Sequence, residues 1–181
     1  MIFAETPLAG CYVIDLEPFQ DERGWFARTY CKEEFRAISP AIEWVQSNHS
    51  YTLWRGTIRG MHYQAPPHAE SKLVRCIAGT VWDVIVDLRR ESPTFLRWFS
   101  VELSAANRRM LFVPERFAHG FQTQTDHCEM LYNHTQVYTP GAEGGFRPDD
   151  PRLDIRWPLP PTHLSERDSG HPLLSEDFKG I

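Results

Sequence analysis

The sequence predicts an all-β fold, an antiparallel sandwich or barrel with few short helices. Three observations lead there. Apolar residues recur at every second position over short stretches, turn signals separate those stretches at regular intervals, and sustained helical periodicity is scarce. The alternation is clearest in Val81-Trp82-Asp83-Val84-Ile85-Val86-Asp87-Leu88, where the even positions are all apolar and Asp83 and Asp87 share the other face. Successive side chains of a strand point to opposite faces, so this pattern reads as a strand with one face in a core.

The other elements follow in order. Residues 11–16, 25–30, 73–78, 98–103, 110–113, 120–124 and 129–137 read as further strands, and His62 follows a glycine-containing bend onto one more. Between them, Ala78-Gly79-Thr80, Glu91-Ser92-Pro93 and Thr139-Pro140-Gly141 mark turns. Two helical turns are expected over 32–38 and one over 104–108. Prolines gather late, in Arg147-Pro148-Asp149-Asp150-Pro151 and Trp157-Pro158-Leu159-Pro160-Pro161, so the last third is expected to wrap over the barrel as loops. There is no internal repeat or linker, and 1–181 reads as one domain.

Composition narrows the function classes. At 181 residues, with 41% hydrophobic and 13% aromatic content, the chain can bury a sizeable core. A formal net charge of −5 argues against general nucleic-acid binding but not against an anionic small ligand, because a few arginines reverse the sign inside one cleft. Cys11, Cys31, Cys76 and Cys128 stand far apart with no C-x-x-C pair, which fits neither a zinc site nor a disulfide scaffold. Reduced, mostly buried thiols in a cytoplasmic protein are expected. Met1-Ile2-Phe3-Ala4-Glu5 shows no secretory signal, and no apolar run approaches the roughly 20 residues of a spanning helix, so no membrane partner is expected. Neither G-x-G-x-x-G nor a phosphate loop occurs, so nicotinamide and nucleoside triphosphate chemistry are not indicated.

The chemistry lies in Arg59-Gly60-Met61-His62-Tyr63-Gln64, followed ten residues after the histidine by Lys72 in Ser71-Lys72-Leu73-Val74-Arg75. This puts a base candidate and a fixed ammonium on what read as neighbouring short strands. A proton acceptor beside a cation is what enolisation next to a carbonyl requires, because the cation stabilises the developing oxyanion. Val113-Pro114-Glu115-Arg116-Phe117-Ala118-His119-Gly120-Phe121, and Leu131-Tyr132 running on to Tyr138, extend the pattern. Taken singly, each of these residues also has a structural reading: a satisfied core histidine, an exposed lysine, a packed tyrosine or a solvated arginine.

Together with Asp21-Glu22-Arg23-Gly24, Val45-Gln46, Asn48-His49-Ser50, Val86-Asp87-Leu88-Arg89 and Asp149-Asp150-Pro151, these segments make the chain resemble a known family. From Leu8 to Leu174 it is similar to the nucleotide-sugar epimerases typified by dTDP-4-dehydrorhamnose 3,5-epimerase, of the cupin superfamily. The resemblance implies a cupin-type jelly-roll β-barrel and a cofactor-independent isomerase acting on a nucleotide-linked 4-keto-6-deoxyhexose in deoxysugar biosynthesis. On it, His62 matches the base and Asp168 the carboxylate that orients it. Lys72, with His119, matches the groups that hold the enolate, and Tyr132 matches the acid on the opposite face of the sugar. Tyr138 matches the residue that stacks on the nucleotide base. Arg23, Arg59 and Arg167 match diphosphate contacts, and Gln46, Asn48 and Glu143 match positions near the ligand. The family's N-terminal strand crosses to a partner, so a homodimer is implied in which residues from Arg23 through Phe26 to Arg28 reach the neighbouring site.

Two departures concern nucleotide recognition. Arg28 stands where the rhamnose-pathway enzymes usually carry a glutamate, and Ser47 replaces a usual aspartate. An arginine offers only donors, so weaker discrimination for thymidine and a cytidine- or guanosine-linked substrate are the expectation it raises. Metal-binding cupins typically use two histidines separated by one residue. Here Gln64 takes the second place, so no metal is expected. The alternatives are a single-centre epimerase acting on a CDP- or GDP-linked sugar, a metal-dependent cupin oxygenase, and a non-catalytic sugar-binding cupin.

Overall fold

The computed structural model describes residues 1–181. In chain order its strands are β1 (Ile2–Glu5), β2 (Tyr12–Asp15), β3 (Phe19–Asp21), β4 (Gly24–Phe26), β5 (Gln46–Thr52), β6 (Ile58–Gln64) and β7 (Lys72–Ala78). They continue as β8 (Thr80–Asp87), β9 (Trp98–Ser104), β10 (Met110–Val113), β11 (Phe117–Thr123), β12 (Cys128–His134) and β13 (Glu143–Gly145). Helix is confined to α1 (Lys32–Phe35) and α2 (Glu166–Gly170).

Six strands form one antiparallel sheet in the order β1-β2-β10-β7-β12-β5, five form a second in the order β13-β6-β11-β8-β9, and β3 pairs with β4 as a separate hairpin. From β5 onward the chain passes back and forth between the two sheets, pausing only at the β8–β9 hairpin. This is a jelly-roll arrangement, as the strand spacing predicts.

The main core lies between the sheets. Val74, Cys76, Leu111, Val113 and Met130 come from one side, and Val81, Ile85, Leu103, Phe117 and Phe121 from the other. Both outer faces are covered over their central strands as well. Ile14, Leu73, Met110 and Phe112 pack under Phe35 and Ile42 of the N-terminal segment. The Phe35 ring is anchored there edge-on by Phe3 at 5.4 Å and Phe112 at 6.4 Å. Val84, Val86 and Ala118 pack under Phe146 and Leu153, with Trp157, Leu174 and Phe178 of the C-terminal segment partly buried against them.

This double burial corrects the reading of β8. Its even residues Val84 and Val86 lie on the outer face, beneath the C-terminal segment, while Val81 and Ile85 occupy the inner face with Asp83 and Asp87. The two aspartates are thus fully buried among core residues, and each is held by partners. His119 Nε2 lies 2.9 Å from both oxygens of Asp83. Asp87 accepts from Arg89, Ser92 and Thr94, which organises the following loop.

Other boundaries also move. The strand expected over 25–30 ends at Phe26, and the one over 129–137 ends at His134. His134 pairs with Gln46 and Lys72, the first residues of both neighbouring strands, so no ladder partner remains beyond it. Tyr138 is therefore on a loop rather than on the same strand as Tyr132. Residues 104–108 form a turn, closed by the Asn107 side chain accepting from Ser104 N, with Arg108 at φ 57. The 32–38 helix is shortened to α1. The C-terminal segment, expected as loops, contains α2, whose N-cap Ser165 accepts from Asp168 N at 3.0 Å. Strands β1, β3, β5 and β13 are additional.

One irregularity positions the site. On β11, His119 pairs with His62 but Phe121 pairs with Arg59, so Gly60 and Met61 together oppose Gly120. The extra residue is a β-bulge, and it reverses the parity of β6 so that Arg59 and His62, three apart, both line one cavity. Gly60 has φ 129, and a Cβ there would fall 2.6 Å from Gly120 Cα. A Gly60→Ala substitution should therefore destabilise the protein by about 1–3 kcal/mol, the usual range for a strained backbone, and lower turnover as well. Urea unfolding checks the first effect; an unchanged midpoint would show that the two strands can part at no cost.

Candidate active site

A cavity of about 480 Å³ opens between the sheets and beneath α2. From the six-stranded sheet it is lined by Gln46, Asn48 and Ser50 of β5, Lys72 of β7, and Tyr132 and His134 of β12. From the five-stranded sheet come Arg59, His62 and Gln64 of β6 and His119 and Phe121 of β11, while Glu143, Arg167 and Asp168 close one side. His62 and Lys72 are thus not on neighbouring strands. Their strands follow each other in the chain but belong to opposite sheets, which puts the two groups across the cavity from one another.

His62 Nε2 lies 2.6 Å from Asp168 Oδ1, and the other Asp168 oxygen accepts from Gly60 N at 3.2 Å. Burial pushes the Asp168 carboxyl up, but the hydrogen bond and charge of His62, the Gly60 amide and Ser165 outweigh it and hold the group below its ordinary value. An ionised Asp168 accepts from Nε2–H, which leaves the lone pair on His62 Nδ1. His62 is about one-third exposed, so that lone pair is within reach of a ligand.

On the facing sheet, Tyr132 stands beside Ser50, with the hydroxyls 3.0 Å apart. Burial pushes its phenol strongly up, against a smaller lowering by the Ser50 hydrogen bond, so the group holds its proton. Lys72, which an alternating strand would leave exposed, is buried, its Nζ 3.1 Å from Glu70 Oε1. Burial raises Asp83 behind His119, opposed by the imidazole's charge and hydrogen bond.

Toward the mouth, Tyr138 donates its hydroxyl to Glu143 at 3.0 Å, and Arg167 donates to the other Glu143 oxygen at 2.8 Å. Gln46 Oε1 accepts from Tyr138 N at 2.9 Å, which ties the loop to β5. Arg59 is held by Thr52 Oγ1 at 2.9 Å.

Three expected ligand contacts lie apart from this cavity. Arg23 pairs with Asp21 at 2.5 Å, Phe26 is 74% exposed on the β3–β4 hairpin, and Arg28 donates to Glu34 at 2.7 Å. Glu34 also binds the Met1 ammonium at 2.8 Å, so Arg28 belongs to an ion cluster at the N-terminal edge.

Several lining residues were not expected. Glu70 and Ser165 are common surface residue types with no motif of their own, and Ser50 lies in a matched segment without a role assigned to it. His134 could have been found: two positions after Tyr132 on one strand, it must share its face. Outside the lining, His171 stands behind His62 at a ring distance of 5.8 Å, with a buried Nε2 that has no partner, and desolvation lowers it below the ordinary imidazole value.

The donor set does not fit the metal of metal-binding cupins. Gln64 donates to His68 O and Val137 O and accepts from Thr139 N, so its side chain is committed to backbone. His62, Asp168 and His171 do bring donor atoms within 4.8 Å of one another, but His62 and Asp168 already satisfy each other.

With this geometry in view, comparison with known proteins is informative. The family model of dTDP-4-dehydrorhamnose 3,5-epimerase matches residues 5–176. The chain belongs to that family. It is 42% identical to dTDP-4-dehydrorhamnose 3,5-epimerase of Salmonella typhimurium over 180 residues, which cover 97% of each chain. The crystal structure of the Elizabethkingia anophelis epimerase superposes with a TM-score of 0.93 at 38% identity, covering 98% of each chain. The Legionella pneumophila enzyme, solved in complex with dTDP-4-keto-L-rhamnose, gives a TM-score of 0.90 at 34% identity and covers 95% of this chain and 92% of its own. Family membership makes this chain a carbohydrate epimerase, an isomerase of nucleotide-linked deoxysugars.

The Asp168–His62 pair also carries a pH prediction. Asp168 is lowered on folding, so the stability it contributes is fully present above the unfolded carboxyl value of about 4 and is lost as pH falls through the lower folded value. Asp168→Asn should therefore be less stable than wild type near neutrality, with the difference shrinking in acid. Urea midpoints at pH about 7 and about 3 read this out; a difference independent of pH would mean that the carboxylate charge contributes nothing.

Proposed function

We propose that the cavity inverts C3 and C5 of a dTDP-linked 4-keto-6-deoxyhexose by a stepwise enolisation, with His62 as base and Tyr132 as acid. The observation that carries this reading is that His62, held by Asp168, and Tyr132, beside Ser50, stand on opposite sheets of one cavity with Lys72 in the same enclosure. Inversion needs a proton removed from one face of the ring and returned to the other, and two acid–base groups on facing walls meet that need.

The C4 ketone acidifies the hydrogens at C3 and C5. His62 Nδ1 takes the C3 proton, electrons move into an enolate, and the ammonium of Lys72, with His119, stabilises the charge on O4. Tyr132 then donates its phenolic proton from the opposite side; His62 gives up its captured proton to solvent and Tyr132 takes one back, which resets both groups. Repetition at C5 completes the reaction. No step needs a metal or an organic cofactor.

The mouth suits the nucleotide end. Tyr138 offers a π face to the base, Arg59 and Arg167 offer guanidinium forks to the diphosphate, and Gln46, Asn48 and Glu143 offer polar contacts between them. That the related Legionella enzyme was solved with dTDP-4-keto-L-rhamnose supports the substrate class.

Replacing the base and the acid should give different failures. Since positioned acid–base groups contribute about 100- to 10,000-fold, His62→Ala should lose that much turnover together with solvent-proton exchange at both carbons. Tyr132→Phe should keep exchange at one carbon while losing inversion. Near-normal turnover in His62→Ala would refute the assignment.

We further infer a homodimer. The β3–β4 hairpin carries Phe19 at 80% exposure and Phe26 at 74%, beside Trp25. Such an apolar edge is costly in water and suits a second copy, to whose site Arg23 and Arg28 would then be brought. Sedimentation at micromolar concentration should give a dimer, and Phe19→Asp with Phe26→Asp should weaken it; a fully active wild-type monomer would contradict this.

A further inference from the structure

Lys72 does not stand alone in the cavity. Glu70 Oε1 is 3.1 Å from its Nζ, and Glu70 Oε2 is 2.8 Å from His134 Nδ1. The other nitrogen of His134, Nε2, lies 3.3 Å from Asn48 Nδ2. An amide N–H can only donate, so Nε2 is the acceptor and Nδ1 carries the proton that goes to Glu70. Lys72 and His134 are direct cross-strand partners, and the His134 ring stacks on Tyr132 at 6.2 Å with an interplanar angle of 25°. All three members of the chain are at least nine-tenths buried at their side chains. One carboxylate and one imidazole therefore touch both the cation and the acid of the reading above.

We infer that Glu70 and His134 are positioning residues of the epimerase, holding the Lys72 ammonium at O4 and the Tyr132 ring against the sugar. This rests on the assignment of Lys72 and Tyr132 to the reaction.

The physical case has two parts. A lysine on a flexible four-carbon stem points reliably only if a partner fixes it, and a buried cation needs a counter-charge. Glu70 supplies both. Burial pushes Glu70 up, but the hydrogen bond from His134 and the charge of Lys72 outweigh it and keep it ionised, so His134 maintains the counter-charge that Lys72 requires. The titratable groups around Lys72 in the cavity are Glu70 ahead of β7, Tyr132 and His134 from β12, His119 from β11, Asp83 from β8 and, on the facing wall, Arg59 and His62 from β6. Among the carboxylates, Glu70 alone is in hydrogen-bond contact with the ammonium, while Asp83 is committed to His119.

The test compares Glu70→Gln, His134→Phe and Lys72→Met by steady-state kinetics across pH, with dTDP-4-keto-6-deoxyglucose as the assayed substrate. Removing an opposite charge at contact distance disfavours a cation by one or more pH units. The alkaline limb of kcat/KM in Glu70→Gln should therefore move to lower pH by about one unit or more. Its kcat should fall about 10- to 100-fold, as for groups that orient a catalytic residue, with KM changed far less. His134→Phe keeps a ring against Tyr132 but has no donor for Glu70. It should move the limb in the same direction, and it covers the case in which Glu70→Gln does not fold.

Wild-type kcat and pH profiles in both folded variants, or losses confined to KM, would overturn the inference. Lys72→Met separates the two levels of the account. If it is as active as wild type, the reading of Lys72 fails. If it is inactive while Glu70→Gln and His134→Phe behave as wild type, only the positioning role fails.

Discussion

The structure depends on one constraint: charged groups inside a two-sheet enclosure must satisfy one another. The middle of each sheet is covered on both faces, so a polar side chain turned into the space between the sheets reaches bulk water only through the cavity. An unpaired charge there would cost several kcal/mol. The interior answers with matched sets: Asp168 with His62, Asp83 with His119, and Glu70 with Lys72 and His134. The same pairings that make the interior stable also fix protonation states. In the proposed mechanism, an acceptor on Nε2 frees Nδ1 of His62 for proton removal, and a carboxylate beside Lys72 keeps a cation where an enolate oxygen can use it. Fold stability and chemistry thus rest on the same contacts.

The chain ends take part in this. The C-terminal segment covers the outer face of the five-stranded sheet with Leu153, Trp157 and Phe178, and α2 brings Asp168 over the edge onto His62. Its course is pinned by Asp150, a buried carboxylate that accepts from Leu174 N at 2.5 Å and Arg152 N at 2.9 Å. Anything that loosens this cover also frees the carboxylate that holds His62. At the other end, the N-terminal segment packs Phe35 on the six-stranded sheet and leaves the β3–β4 hairpin standing out with its aromatic residues uncovered.

Much of the fold is legible in the sequence because a period of two is a direct consequence of strand geometry. Residues 81–88 and 98–103 show it, and both fall in strands but for Leu88 at the end of the first. What that period cannot give is which face is inside. In β8 the polar face turned out to be the interior, because a sheet buried on both sides offers no solvent to mark the outside. At the site, His62, Lys72 and Tyr132 are conspicuous through their motifs, yet the facing arrangement of their strands follows from sheet order and not from proximity in the chain. The common orientation of Arg59 and His62 is hidden by a bulge, which local periodicity reads as an inconsistency. Glu70 and His134 are 64 residues apart and meet only in the folded sheet. Their pairing has no local signature, whereas Tyr132 and His134 share a face by simple counting. The roles given to the site residues came from resemblance to the epimerases; the geometry then supplied the partners each role needs.

The central claim is that a 4-ketosugar lies between His62 and Tyr132 with its ketone on Lys72. A crystal structure with a bound dTDP-linked 4-keto-6-deoxysugar tests it most directly, and Tyr132→Phe can be used to slow turnover. The account places the ketone oxygen within about 3 Å of Lys72 Nζ, as a hydrogen bond to a charged donor requires. It also places His62 and residue 132 on opposite faces of the ring, with the nucleotide base toward Tyr138. A sugar bound with its ketone away from Lys72, or with His62 and residue 132 on the same face, would contradict it.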